Sequence, residues 1–528
     1  MRLSVLHQYL LIVAISLLPF IPFFTTNDIP HTHDGPVHLA RMAAYYKALT
    51  DGQILPRWAG DLNYGYGMPL FNFIYHLPYL FSSFFIFLRF SLVDTFKIVL
   101  ALSFLISGVT IFAFSRAFWK DTKKAFLVTI FYQFFAPFRL VETHVRGSFG
   151  EAYTYAAFPF VLYGIVRKNI FITAVAGAFL ILSHNSVSLL FFALAATFAF
   201  VTSKTWRVRV YQAGALAGAL ALSATYWLPA IVERKFTYGD LFMKDVFQMH
   251  FPQLYQLFIP NFTNAPTFLT EGISVQIGIF HVIALFFARD KTLWRYIILW
   301  SLIALFFMQP ISSFLWRYFP ILRQFQFPWR FLSIFVIMTT LASGLLMRMR
   351  VFQKPLMYCG TLALVIVSTL YFWNPPLGFD TVSDEGFYWN YPLNTTYYGE
   401  TDVVWSAGPH QSYPPSPIQV ASGDTIVTNI EKRSTQHTFQ VSSTTESTIV
   451  DNTQYFPGWR AYVDGTQVPI EFQDINWRGL ITFSVPPGQH SVRVAFGHTP
   501  VRLIANVVSV STLLFLLLIW VKKKYFYH

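Results

Sequence analysis

A single cysteine in 528 residues, Cys359, rules out an intrachain disulfide and leaves almost no material for a thiolate metal site. Charge is scarce too: Asp, Glu, Lys and Arg together make up 12% of the chain, about half the usual share for soluble domains. That scarcity excludes a chain that faces water over its whole surface. Hydrocarbon takes the place of charge, with 54% hydrophobic residues, 58 Phe and a mean hydropathy of +0.46. Apolar stretches of roughly 17 to 22 residues recur, each long enough to cross a ~30 Å hydrocarbon core at 1.5 Å per residue. They predict about twelve membrane spans, the first at 9–24 and the last at 502–521. The first stretch follows Arg2 but lacks a small-residue cleavage site, so it reads as a retained helix and not as a signal peptide.

The net formal charge of +13 depends for its meaning on where it lies. Arg116 to Lys124, Arg167 with Lys168, Lys204 to Arg209, Arg289 with Lys291, Arg348 to Lys354 and Lys522 to Lys524 are separate short clusters. They occupy alternate connections between spans, which is the positive-inside pattern and not a nucleic-acid patch. Both termini are then cytoplasmic, and the outward segments are 25–93, 139–152, 184–186, 232–272, 310–328 and 374–501. Residues 69–90 are apolar enough to be counted as a span, but counting them would turn Arg116 to Lys124 outward. They are therefore predicted to form a re-entrant or interfacial helix pair broken at Pro78.

Beyond Trp373 the composition shifts to Pro, Gly, Ser and Thr, with alternating runs such as Thr438-Phe-Gln-Val-Ser and Ser491-Val-Arg-Val-Ala-Phe. Turn signals at Asp464-Gly465 and Pro486-Pro-Gly-Gln separate them. The predicted fold is a polytopic α-helical membrane domain (1–373, with the outward loop 25–93), an extracytoplasmic β-sandwich (374–501), and a final span with a basic tail (502–528).

Unusual polar residues concentrate on the outward side. The segment Asn27 to Arg41 holds Asp28, His31, His33, Asp34 and His38 where the first span ends, and such groups are costly near hydrocarbon unless they work or are paired. Asp34 suits a general base for an acceptor hydroxyl, and it equally suits the N-cap of a helix starting near Pro36. Three histidines in eight residues invite a metal, but their spacing matches no familiar ligand set, so no metal or other cofactor is implied. In Glu142-Thr-His-Val-Arg-Gly-Ser-Phe-Gly-Glu151, Arg146 can fork onto a phosphate with Glu151 orienting it, or the two can simply close the loop as an ion pair. His184, Glu233 with Arg234, and the run Arg323 to Arg330 with Gln326 each sit where an apolar stretch meets the outer interface. Taken together, these sets on one face predict a shared polar cavity for a charged lipid headgroup. Gly65-Tyr-Gly67 reads as a turn.

Asp34-Gly-Pro-Val-His-Leu-Ala-Arg, Gly52-Gln-Ile-Leu-Pro-Arg-Trp, Gly65-Tyr-Gly-Met-Pro-Leu-Phe-Asn-Phe, Arg146-Gly-Ser-Phe-Gly-Glu151 and Phe325-Gln-Phe-Pro-Trp-Arg330 resemble the bacterial membrane proteins called 6-pyruvoyl-tetrahydropterin-synthase-related. Tyr455-Phe-Pro-Gly-Trp-Arg-Ala-Tyr-Val-Asp-Gly465 resembles the C-terminal part of YfhO-like proteins. Pterin chemistry does not follow: the soluble enzyme of that name uses a three-histidine zinc site and a catalytic cysteine, and here the one cysteine lies inside an apolar run.

Both groups look like members of the GT-C glycosyltransferase superfamily, in which an acidic residue of the first outward loop faces a polyprenyl-phosphate sugar donor. The resemblance puts Asp34 in that role. Many of these enzymes carry an acidic pair there, whereas Gly35 follows Asp34 in this chain, so the second carboxylate falls to Asp28 or Glu151.

The function that follows is a glycosyltransferase of the bacterial plasma membrane. It moves a sugar from the polyprenyl-phosphate donor to an extracytoplasmic glycan or lipid acceptor, with inversion. Arg146, Arg330 and Arg234 would hold the donor phosphate, and His33, His38, His184, Glu233 and Gln326 would support them. In the β-region Trp459, Tyr462 and Trp477 could stack on sugar or form the core. A lipid-linked-glycan transporter or a non-catalytic scaffold are the competing readings.

Overall fold

The structure, a computed structural model, describes residues 4–135, 138–259, 275–287, 291–396 and 399–525. Among these residues five helices are long and apolar enough to cross a membrane: Val5–Phe24, Leu92–Trp119, Pro328–Leu346, Pro355–Phe372 and Pro500–Lys522. Three bent pairs raise that number to eight if each is one span. They are Thr122–Gln133 with Phe138–Val145 (59°), Trp206–Leu222 with Ala224–Phe236 (65°), and Thr292–Phe307 with Pro310–Tyr318 (81°). The predicted dozen is larger because it counted shorter elements. Ile170–Ser183 and Val187–Thr202, of 14 and 16 residues, are about 21 and 24 Å long at 1.5 Å per residue, less than the ~30 Å hydrocarbon core. Part of the stretch 273–288, and Arg289, lie outside the described residues.

Local signals account for many helix ends. Ser91, Asp121, Asn169 and Thr205 each accept a backbone N–H in the first turn of the helix they open. Segment 69–90 is a helix pair, as expected, made of Leu70–Phe73 and Leu77–Phe87. The break falls at Ile74-Tyr75-His76 and not at Pro78, which sits in the first turn of the second helix, where a missing N–H leaves no bond unmade.

The helix Phe149–Val166 is buried along most of its length, packed between Leu92–Trp119 and Ile170–Ser183. Its N-terminal end, the helix Gly35–Thr50 and the break at 74–76 meet at one place. That junction positions the candidate site.

Two antiparallel sheets share one hydrophobic core in the C-terminal region. One runs in the order Thr425–Lys432, Gln436–Ser443, Gly488–Phe496, Trp459–Val463, Thr466–Val468. The other runs Ile418–Ser422, Ser447–Gln454, Leu480–Val485. Phe439, Val441, Val492 and Val494 of the first sheet and Ile449, Ile481 and Phe483 of the second point into that core. The Asp464-Gly465 turn has φ of 48° and 81°, the paired left-handed geometry that a two-residue hairpin demands.

The segment between the first two long helices is built into this region: Trp58 lies in the same core, 5.4 Å from Trp459 edge to face. A short ladder, Ile29–Pro30 against Phe379–Asp380, ties the residues just after the first long helix to those just after the helix Pro355–Phe372.

Candidate active site

The site begins with backbone pairing between two segments far apart in sequence. His33 donates its N–H to the Val145 carbonyl (3.1 Å) and Asp34 donates to that of Arg146 (2.9 Å). The approach needs Gly147, whose φ is +67° and whose missing Cβ would lie 2.6 Å from Thr32 Oγ1. A π-turn over Val141–Val145 precedes it, with the Arg146 N–H reaching back to the Val141 carbonyl at 2.9 Å. Such turns re-aim side chains and recur at functional sites.

Asp34 occupies the N-cap position of helix Gly35–Thr50 but makes no side-chain cap bond. Of its two sequence readings, capping is the one the geometry does not use. Among the described residues no hydrogen bond or ion pair engages its carboxylate, which is only partly buried. Burial pushes its carboxyl above the usual aspartate range, while the Arg146 and Arg41 guanidinium groups pull it back.

Beside it lies a buried charge network. Arg146 Nη1 donates to Glu142 Oε2 (2.6 Å) and to Glu151 Oε1 (2.9 Å). Glu151 Oε1 also accepts from Arg330 Nε (3.0 Å) and lies 2.9 Å from Arg330 Nη2. Both guanidinium groups lie over aromatic rings, Arg146 over Trp329 at 4.7 Å and Arg330 over Phe327 at 4.6 Å. Gln326 accepts from Arg330 Nη1 at 2.9 Å, and so does the Phe325 carbonyl at 2.8 Å. Arg330 is therefore nearly saturated. For Arg146, no described bond engages Nε or Nη2. Glu151, fully buried and holding two arginines through one oxygen, is placed to organise cations and not to accept a proton.

His184 sits next to this network. Its Nδ1 accepts from the backbone of Ser186 and Val187, 3.2 Å each, so Nε2 carries the proton and lies 3.9 Å from Glu151 Oε1. Burial pushes its pKa down to about 3. Gly150 makes room for it, since a Cβ there would lie 2.6 Å from the Tyr75 ring and 2.7 Å from His184. His33 is held neutral by burial and by Arg146, with its pKa near 4, and its buried Nε2 has no partner among the described residues. His38 bonds Tyr79 through Nδ1 (2.9 Å) and stacks on Phe149 at 4.2 Å, which makes it a packing residue.

The remaining predicted residues lie apart. Asp28 accepts from Thr26 Oγ1 at 2.8 Å and closes a local turn. Arg234 is paired with Asp240 at 2.7 Å and with the Gln324 side chain. Glu233 is buried in a second network: it accepts from Arg502 Nε (3.0 Å), Asn72 Nδ2 (2.8 Å) and Thr499 Oγ1 (2.7 Å). That network neutralises the buried Arg502 where the last helix enters the membrane domain. In the β-region, Trp459 is core, Tyr462 lies under the Arg493 guanidinium at 4.3 Å, and Trp477 is half-buried.

Four residues complete the site without having been singled out. Arg41 is seven positions after Asp34, on the same helical face, and donates Nε to Thr395 Oγ1 at 3.0 Å. That i+7 spacing was readable. Tyr75 and Tyr79 stack at 5.7 Å, and Glu142 bridges to Arg146; their burial was not readable from spacing. Among the described residues no three His, Cys, Asp or Glu side chains gather closely enough to hold a metal ion.

Helices long and apolar enough to cross a membrane describe an integral membrane protein, and a half-buried, unpaired carboxylate beside a buried arginine and glutamate network gives it a polar site. Residues 71–384, more than half the chain, match the family described as 6-pyruvoyl-tetrahydropterin synthase related domain, membrane protein. The chain belongs to this family.

No curated protein matches it. Among solved structures it is similar to the arabinofuranosyltransferase AftD from Mycobacteria, at 17% identity and a TM-score of 0.44, over 71% of this chain and 27% of that one. It is also similar to the Archaeoglobus fulgidus oligosaccharyltransferase in the apo form, at 12% identity and a TM-score of 0.42, over 78% of this chain and 61% of that one. The chain thus spans about a quarter of the first protein's length and about three fifths of the second's.

Proposed function

We propose that the chain is a membrane glycosyltransferase that takes a sugar from a polyprenyl-phosphate donor and passes it, with inversion, to a glycan or lipid hydroxyl on the extracytoplasmic face of the bacterial plasma membrane. Both termini are cytoplasmic, and residues 374–501 form the outward domain. The observation that carries the reading is the Asp34 carboxylate: not used as a cap, unpaired among the described residues and half-buried, with the Arg146 and Arg41 guanidinium groups opposing the effect of its burial.

In the reaction, Asp34 takes the acceptor hydroxyl proton as that oxygen attacks the anomeric carbon. The bond from that carbon to the phosphate oxygen breaks, and polyprenyl phosphate leaves with the electron pair. The leaving group's charge needs donors already in place. Arg146 supplies them through Nε and Nη2. Arg330 acts one step back, fixing Glu151 and through it Arg146. Arg234, engaged by Asp240, and Asp28, engaged by Thr26, have no part in this scheme. Glu151 is the second carboxylate only as an organiser.

The test is sugar release from a polyprenyl-phosphate-sugar pool by the purified protein in lipid, wild type against Asp34→Asn. Loss of turnover in a folded variant supports the reading. Equal turnover removes Asp34 as the base. No turnover by wild type on several donors favours the transporter or scaffold alternative.

A further inference from the structure

The first outward loop and the β-region enclose a cleft of about 250 Å³ that lies outside the Asp34 site. Tyr64 and Tyr413 stand in it edge to face, ring centres 5.3 Å apart, and Asp61, Lys432, Arg433 and Ser434 line the rest. Tyr413 is 55% exposed, and the Asp61 and Arg433 side chains are also well exposed. An exposed tyrosine and a half-buried one thus stand together beside polar groups, close to the core.

The backbone is strained to produce this arrangement. Asn63 and Tyr64 both adopt left-handed conformations, with φ of 58° and 54°, which residues with a Cβ avoid unless the surroundings enforce them. Here the enforcement is visible. The N–H of Asn63 bonds the Leu393 carbonyl at 3.3 Å, its Oδ1 accepts from the His410 N–H at 3.1 Å, and Tyr66 stacks on the His410 ring at 3.5 Å. Lys432 ties the two walls together, donating to the Gly65 carbonyl at 3.1 Å and to the Asn452 carbonyl at 2.9 Å.

We infer that this cleft is a carbohydrate-binding subsite that holds one sugar unit of a cell-surface glycan. Its size is below the ~300–1,000 Å³ of drug-sized pockets and suits a single ring. Tyrosine matches a pyranose in kind, because each presents an apolar face and hydroxyl tips. Asp61, already bonded to Lys47 at 2.6 Å, and Arg433, bonded to Glu431 at 2.7 Å, offer acceptors and donors of mixed sign. A site for a phosphate or a nucleic acid would concentrate one sign. The inference stands whatever reaction occurs at Asp34.

The test uses the full chain in nanodiscs on a printed array of bacterial cell-surface oligosaccharides. Wild type is expected to retain at least one class of glycan. Tyr413→Ala, at an exposed position where truncation leaves no buried cavity, is expected to lose tenfold or more of that retention with an unchanged melting midpoint, and Arg433→Ala to lose less. Asp34→Asn is expected to bind as wild type, which separates this cleft from the reaction site. Retention of no glycan by wild type, or equal retention by wild type, Tyr413→Ala and Tyr64→Ala, overturns the assignment.

Discussion

Asp34 and Arg146 are 112 positions apart, yet the N–H of the first donates to the carbonyl of the second at 2.9 Å. The bond fixes the candidate base against the segment that carries the candidate phosphate ligand, so the relation of carboxylate to guanidinium is set by main chain and not by two flexible side chains. It also explains why Asp34 is not a cap: the loop's backbone is held by the 145–146 segment, and the carboxylate is left free.

The pH dependence follows from what surrounds that carboxylate. Burial raises its pKa and the two arginines oppose the rise, with burial the larger effect. A base works when deprotonated, so turnover should rise with pH through an acid limb placed above the ~3.9 of an ordinary aspartate. Arg41→Ala removes one opposing charge and should move that limb further toward neutrality. A kcat/KM profile for both proteins checks this; a limb that stays in place, or moves to lower pH, counts against Asp34 as the titrating group.

Much of this was legible. Apolar run length and the change of composition after Trp373 follow from solvent and period, which act locally. The grouping of Arg146, Glu151, Arg330 and His184 was legible too, since these four do meet. What spacing left open was how they divide their bonds. Glu142 and Glu151 compete for Arg146, and Glu233 finds its partner, Arg502, 269 positions away. The same limit hid the break at 74–76, where Tyr75 has to reach Gly150 and the Pro78 signal marks a first turn and not a stop.

Glu151 gives a stability prediction. It is the shared counter-charge of Arg146 and Arg330, all three buried. Removing one partner of a buried ion pair typically costs about 3–5 kcal/mol, because the other charge is left uncompensated. Glu151→Ala should therefore lower the thermal midpoint sharply in detergent or be recovered in poor yield. Glu151→Gln, which keeps the volume and one acceptor oxygen, should fall between Ala and wild type. Equal midpoints for Ala and wild type would mean that the arginines are not held as described.

Glu233 tests whether the second network is separate. Its pairing with Arg502 ties the Ala224–Glu233 helix to the last one, Pro500–Tyr525. Glu233→Ala should destabilise by a similar ~3–5 kcal/mol, and at temperatures where the variant stays folded its donor turnover should match wild type. Thermal melts together with turnover measured well below the midpoint check both parts. A turnover defect in the fully folded variant would place Glu233 in the reaction after all.

Gly150 separates packing from chemistry. A methyl there would lie 2.6 Å from the Tyr75 ring and 2.7 Å from His184, and neither neighbour is a flexible chain end that can swing clear. Overpacking of this kind costs roughly 1–3 kcal/mol. Because His184 also caps helix Val187–Thr202 through Nδ1, it cannot shift without giving up that bond. Gly150→Ala should lower both the thermal midpoint and turnover. Gly214→Ala offers the control: it lies inside the Trp206–Leu222 helix with nothing within 4 Å of the added carbon, so it should be neutral or stabilising by up to about 1 kcal/mol. Should both substitutions behave alike, the tight meeting of Tyr75, His184 and Gly150 would not be a feature of the folded protein.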